Sequence, residues 1–340
     1  MAADRDIDSG LAHWLGKLRT HYPPYHLLIA LVISGLIFGA IILTTGWGSP
    51  MIALEVRSNF VSYTVGRPAI AAIAVQDAVV SDRDRALLCG YGKTDEKGTR
   101  LTARIMPSQG DIVEYVWNKG FAIIRFRSPP EKTGPHLDMQ VQKQPICKID
   151  SELSLYLFDA NLTEMPPLPL VGPGQIGAEL GMQPVPSQTK SDLPTWLTQQ
   201  APADAELGVS NTRLLLDGTA RVYGRTNLGS DGNLYPIPDS DFNLPRGSRL
   251  TTVDGTWLTG TVTLATTGEG FDVRATTEAQ QLRLYRIGSQ EQAETFATGV
   301  LSRAFRDPSA APILLFVGIF VVVVQILLAL AAIEKKGPEG

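Results

Sequence analysis

The chain has 340 residues, 44% hydrophobic and 19% charged, with a formal net charge of −4. With no basic block and no interleaving of aromatic and basic residues, that balance excludes a nucleic-acid-binding protein. The long region between its two most apolar stretches holds only Cys89, Cys147 and His136, too few ligands for a closed zinc site.

Residues 1–24 read as a cytoplasmic leader. Ile7, Leu11, Trp14, Leu15 and Leu18 share one face of a short amphipathic helix. Trp14, Leu15 and Leu18 are its expected contacts with a membrane interface, and Pro23-Pro24 end it. Residues 25–46 are expected as a first transmembrane helix, since about 20 apolar residues rising roughly 1.5 Å each cover a hydrocarbon core of roughly 30 Å. No A-x-A-like cleavage site follows, so the segment reads as a retained signal anchor. Gly35 and Gly39 form a G-x-x-x-G stripe, with Ser34 beside it, where a second helix can approach closely.

From residue 50 to 288 the signal is mainly β. Val113, Tyr115 and Trp117 alternate before Asn118-Lys119-Gly120, and Phe121–Phe126 returns, a hairpin with a three-residue loop. Leu153, Leu155 and Leu157 alternate in another strand. Asp217-Gly218 reads as the turn of a second hairpin and Asp254-Gly255 as that of a third. Gly268-Glu269-Gly270 turns the chain into Phe271–Arg274, and Leu282 and Leu284 mark a closing strand. Many short strands with Gly and Asp turns predict a sandwich or partly closed barrel. Prolines crowd residues 163–206, read as a linker or long excursion between β-rich subdomains at 50–162 and 207–288. Cys89 and Cys147 follow apolar residues and are placed on strands. One long-loop disulfide and two buried thiols fit the sequence equally.

Residues 289–307 are expected as a juxtamembrane amphipathic helix. Ser289 is the N-cap, Gln292 completes the capping box, and Ala293, Phe296, Ala297, Val300, Leu301, Ala304 and Phe305 form its apolar stripe. Residues 310–333 read as a second transmembrane helix and 334–340 as a cytoplasmic tail. Gln325 is the span's one strong polar side chain and is expected to bond Ser34 or a separate subunit. Lys17, Arg19, Lys335 and Lys336 put both termini in the cytoplasm and the β domain outside a bacterial inner membrane. The expected fold class is thus membrane-anchored and mainly β: two transmembrane helices bracket a β-sandwich or barrel-like domain, with a C-terminal juxtamembrane helix.

The sequence holds no H-E-x-x-H, C-x-x-C, G-x-S-x-G, P-loop or dinucleotide fingerprint. His136 stands in the turn Thr133-Gly134-Pro135-His136 and reads as a surface loop residue. Asp231, Asp239 and Asp241 form the best acidic cluster, a weak calcium candidate for which turn chemistry is the stronger reading. No catalytic residue and no cofactor are expected. The function expected is that of a non-catalytic accessory or scaffold subunit of a larger membrane complex. Its spans would pack in the lipid bilayer against other subunits, alike or different, and its β domain would dock an exoplasmic protein. The alternative is a membrane-anchored sensor or ligand-binding receptor, for which residues 1–24 and 334–340 leave no room for a signalling domain.

Overall fold

The computed structural model describes residues 50–81, 84–91, 93–95, 98–118, 121–129, 134–141, 144–158, 165–178, 214–225, 234–253, 256–265, 269–278, 282–286 and 293–296, with isolated positions in 32–39 and 315–326. The chain divides into two compact units, one of residues 49–223 and 236–297, the other of 1–48, 224–235 and 298–340. In the second unit, Val32, Gly35, Leu36, Gly39, Leu315, Gly318, Ile319, Val322, Val323 and Ile326 are helical. Gly224 and Tyr235 also belong to it, and the Tyr235 ring occupies the space a Cβ on Gly224 would need.

Among its described residues, the first unit is built of strands, with two short 3₁₀ turns. In chain order its strands open with β1 (Met51–Ser58), β2 (Phe60–Thr64), β3 (Ile73–Val80), β4 (Lys93–Asp95), β5 (Gly98–Pro107), β6 (Ile112–Asn118) and β7 (Phe121–Arg127). There follow β8 (Leu137–Gln140), β9 (Cys147–Ile149), β10 (Leu153–Phe158), β11 (Leu168–Gly172), β12 (Gly174–Ile176) and β13 (Leu215–Arg225). The last are β14 (Leu234–Asn243), β15 (Arg249–Thr252), β16 (Leu258–Leu264), β17 (Phe271–Glu278), β18 (Leu282–Tyr285) and β19 (Glu294–Thr295). A six-stranded sheet runs β11-β16-β17-β1-β13-β14. A thirteen-stranded sheet runs β19-β18-β15-β12-β2-β6-β7-β10-β3-β5-β8-β9, with β4 on β5. Strands from both sides of the proline-rich stretch share each sheet: β1 lies between β13 and β17.

The expected fold class is corrected on its helices. No helix among the described residues is long and apolar enough to cross a membrane, so the transmembrane segments at 25–46 and 310–333 are not found. Hydropathy scores the apolar content of a window and does not itself report the backbone. The juxtamembrane helix gives way at Glu294–Thr295, which pair with β18 as β19. The open edge of β18 supplies backbone partners, and Phe296 is buried with its ring 5.1 Å from that of Phe242. An apolar stripe reports which residues are buried, not the backbone that buries them. The fold is mainly β with two large antiparallel sheets.

Two chain segments pass from one sheet to the other within one or two residues. At the first, β1 becomes β2 through Asn59. The Ser58 hydroxyl, fully buried, accepts the Phe60 N–H (3.1 Å) and lies within donating distance of the Phe60 and Leu214 carbonyls (2.8 and 3.2 Å). At the second, β11 becomes β12 through Gly172 and Pro173. Gly172 has φ 151°, and a Cβ there would collide with the Thr64 carbonyl oxygen.

Between the sheets sit Tyr63, Tyr115, Trp117 and Phe271. The Phe271 ring of β17 lies 6.4 Å from Tyr115 and 6.1 Å from Trp117, both on β6. Tyr115 donates its hydroxyl proton to the Pro169 carbonyl of β11 (2.8 Å), which leaves Tyr63 as donor in the 3.3 Å contact of the two hydroxyls. This pair links the sheets by a polar chain inside an apolar core.

Three turn readings change. β6 and β7 do form a hairpin, but Asn118 pairs with Phe121, which shortens the loop to two residues. Asp217-Gly218 lies inside β13, opposite Arg57 and Val56. Gly218 is required there because β1 passes so close that a Cβ would lie 2.8 Å from the Glu55 oxygen and Val56 Cα. The strands flanking Asp254-Gly255 enter different sheets, so that pair closes no hairpin.

The structure joins Cys89 to Cys147, with Cα atoms 6.0 Å apart. Cys147 is on β9, while Cys89 follows a short 3₁₀ turn at φ 52° rather than standing on a strand. Replacing both cysteines by serine is expected to lower stability by about 4 kcal/mol, from the entropy of closing so long a loop. Denaturant titration checks this, and reductant should bring the native chain to the same midpoint. Burial holds both tyrosines above their ordinary value of 10.0. The folded chain therefore keeps these protons more tightly than the unfolded one. That stabilisation is complete below about pH 10 and is lost as pH rises further. Urea midpoints should fall above that pH, and less steeply in Tyr63→Phe.

A candidate docking end built on Asp111

Ser108-Gln109-Gly110-Asp111 join β5 to β6, and the last residue of the four is a hub. Asp111 is fully buried. Its carbonyl accepts the Val65 N–H (2.8 Å), and its Oδ2 accepts the N–H groups of Ser108 (2.9 Å) and His136 (3.1 Å). Gly110, at φ 87°, turns the chain so that its own N–H reaches the Val65 carbonyl (2.9 Å). Charge-assisted bonds of this kind are stronger than neutral ones. The Asp111 carboxylate thus ties together the loops after β5 and before β8, and backbone bonds of Gly110 and Asp111 add the loop after β2.

A fourth loop joins through Gly134, which lies so close to the Asp150 carbonyl that no side chain fits. There His136 Nδ1 is 2.8 Å from Asp150 Oδ1, with both side chains more than half exposed. No described hydroxyl or thiol bonds this imidazole.

The same loop after β2 carries the aromatic feature of this end. Gly66 donates to the Val171 carbonyl (3.1 Å) and lies flat against Trp257, where a Cβ would be 2.8 Å from the ring. Trp257 is half-buried, and the exposed Arg67 places its guanidinium 5.1 Å from the ring centroid. Pro68–Ile70 form a 3₁₀ turn with no buried residue, and Ile70 is 51% exposed. An indole held rigid by a glycine, a stacked arginine and an exposed isoleucine are side chains of the kind that dominate protein interfaces.

A buried ionic cluster lies elsewhere, on the face of the large sheet away from the small one. Glu114 of β6 stands opposite Arg125 of β7, 3.5 Å apart, each side chain 7% exposed. Arg127 reaches both Glu114 (3.3 Å) and Glu152 (3.5 Å). Phe60, Val116, Ile123 and Tyr156 form the next row on that face, also buried. The cluster fixes the register of three strands rather than presenting a reactive group.

Of the sequence-predicted sites, Asp241 forms a surface ion pair with Arg221 (3.4 Å). Asp231 and the side chain of Asp239 lie outside the described residues, as do Trp14, Leu15, Leu18, Ser34 and Gln325. Gly35 and Gly39 are helical, and a Cβ on Gly39 meets nothing within 4 Å. No three potential metal ligands cluster among the described residues. Asp111, Trp257 and Arg67 were not singled out from sequence, since each stands in an ordinary turn. No family model matches the chain, and no curated protein or solved structure matches it.

Replacing Asp111 by Ala removes a fully buried acceptor from two part-buried N–H donors and should cost about 2–3 kcal/mol, read by denaturant titration. Glu114→Gln leaves two arginines facing a neutral amide and is expected to cost about 3–5 kcal/mol by the same measurement.

Proposed function

We propose that this chain is a non-catalytic accessory or scaffold subunit of a larger assembly, whose β domain docks a protein partner on the exoplasmic side. The observation that carries the reading is the Trp257–Arg67–Ile70 corner. It is rigid, partly apolar and exposed, and it is mounted on loops locked by Asp111 rather than on a flexible tip. Pre-organised aromatic and arginine anchors lose little conformational entropy on binding. The Cys89–Cys147 disulfide supports an oxidising compartment for this domain.

A photo-crosslinking residue at position 67 or 70 of the full chain, in its native cell, should capture one discrete partner. A probe at the exposed Lys93 should not. Trp257→Ala should abolish the adduct while leaving the thermal transition within a few degrees. Equal capture at all three positions, or an adduct that survives Trp257→Ala, would overturn the assignment.

A further inference from the structure

The outward face of the small sheet carries several charges that are already satisfied. Arg57 of β1 sits 3.2 Å from Asp272 of β17 and 4.0 Å from Asp217 of β13. Arg221 of β13 meets Asp241 of β14. Glu55 and Arg274 differ. They stand directly opposite one another on β1 and β17, near the middle of this face, and both are exposed. Neither forms an ion pair with any described residue.

Beside them in their own row, and in the row toward Thr276, the side chains on β13, β16 and β17 include several threonines. Thr219 flanks Glu55 on β13, Thr261 flanks Arg274 on β16, and Thr276 and Thr259 pair in the neighbouring row. Thr276 donates its hydroxyl to the Thr259 carbonyl (3.2 Å), which keeps the surface low. The result is a threonine-flanked row with one cation and one anion outside any ion pair, side by side roughly 5 Å apart on adjacent strands, next to the satisfied Arg57–Asp272 row. A twofold axis lying in the plane of the interface, parallel to the strands and midway between β1 and β17, sets Arg274 of one copy over Glu55 of the other and repeats the contact in reverse. The pattern is self-complementary, as an isologous interface requires. Face-packed sheets lie about 10 Å apart, a gap that an extended arginine and glutamate span together and that threonines leave open.

The edges, by contrast, are poor places for a second copy to join. Pro169 interrupts β11, and Pro236 and Pro238 interrupt β14, the two borders of the small sheet. The large sheet ends in two-residue β19 and three-residue β9, the latter tied by the disulfide. Prolines and very short strands are the usual protection against edge pairing.

We propose that the outward face of the small sheet is an interface between two copies of this chain, held by reciprocal Arg274–Glu55 pairs. The proposal is independent of the docking end, which lies on other loops.

The test uses charge reversals in the purified full chain, with mass read by light scattering and sedimentation at about 50 μM. The native chain should be a dimer. Glu55→Arg opposes two arginines at each contact and Arg274→Glu opposes two glutamates, so each alone should dimerise about tenfold more weakly or not at all. Mixed in equal amounts, the two variants should form a heterodimer as tight as the native one, because only that pairing restores both contacts. A restored pair within one chain cannot mimic this result. Should a reversal not fold, Glu55→Gln and Arg274→Gln keep the shapes and should weaken the dimer in the same direction. A monomeric native chain, single variants that dimerise like it, or a mixture no tighter than its components overturns the proposal.

Discussion

The architecture depends on how closely the backbone passes itself where β11 becomes β12. At Gly172 the chain presses against the Thr64 carbonyl, and at Gly174 it lies against Ser62 and Tyr63. Two glycines are needed because no Cβ has room. Through this corner, β11 delivers the Pro169 carbonyl to Tyr115 from the small sheet, while β12 pairs with β2 in the large one. The companion corner at Ser58 and Asn59 carries β1 into β2. The sheets are therefore joined covalently as well as by packing, which accounts for a polar tyrosine chain surviving in the core between them.

The middle of the large sheet is buried on both faces. On one face Val113, Tyr115 and Trp117 meet the small sheet; on the other lie Glu114, Val116 and Asn118. Burying Glu114 with Arg125 brings a desolvation cost that a hydrophobic pair would avoid. Its compensation is register. A slip of one residue along β6 and β7 would put both charges into the apolar core. The same logic explains Arg127, which extends the pairing toward β10 through Glu152.

In the proposed reading, loop ends and sheet surfaces divide the work of recognition in this domain. The edges are blunted by prolines and short strands, which makes them poor templates for backbone pairing. What is presented instead is side-chain chemistry: a braced indole and guanidinium at the Asp111 end, and a threonine-flanked row with opposed charges on the small sheet. Both surfaces are held for identifiable reasons, backbone bonds to Val65 and Gly66 in one and ladder hydrogen bonds in the other.

Strand content was legible in the residues because period-two alternation survives any tertiary arrangement: Leu153, Leu155 and Leu157 face the core as their spacing requires. The β6–β7 hairpin was legible for the same reason. Apolar runs were less informative. At 25–46 and 310–333 they read as helical spans that the described residues do not contain, and at 293–296 an apolar stripe accompanied a short strand. Turn chemistry misled at Asp217-Gly218 because glycine answers two demands, positive φ and close approach, and only a neighbouring strand reveals which applies. Long-range pairings left no local trace. Cys89 with Cys147, Glu114 with Arg125, and Asp111 with His136 each join residues whose nearness is created by sheet order. By itself the sequence determined which segments are extended and which side of each strand is apolar, since those follow from local geometry. The tertiary structure alone decided which strands share a sheet, where the backbone must be glycine, and which charges are satisfied, because each depends on what is brought opposite.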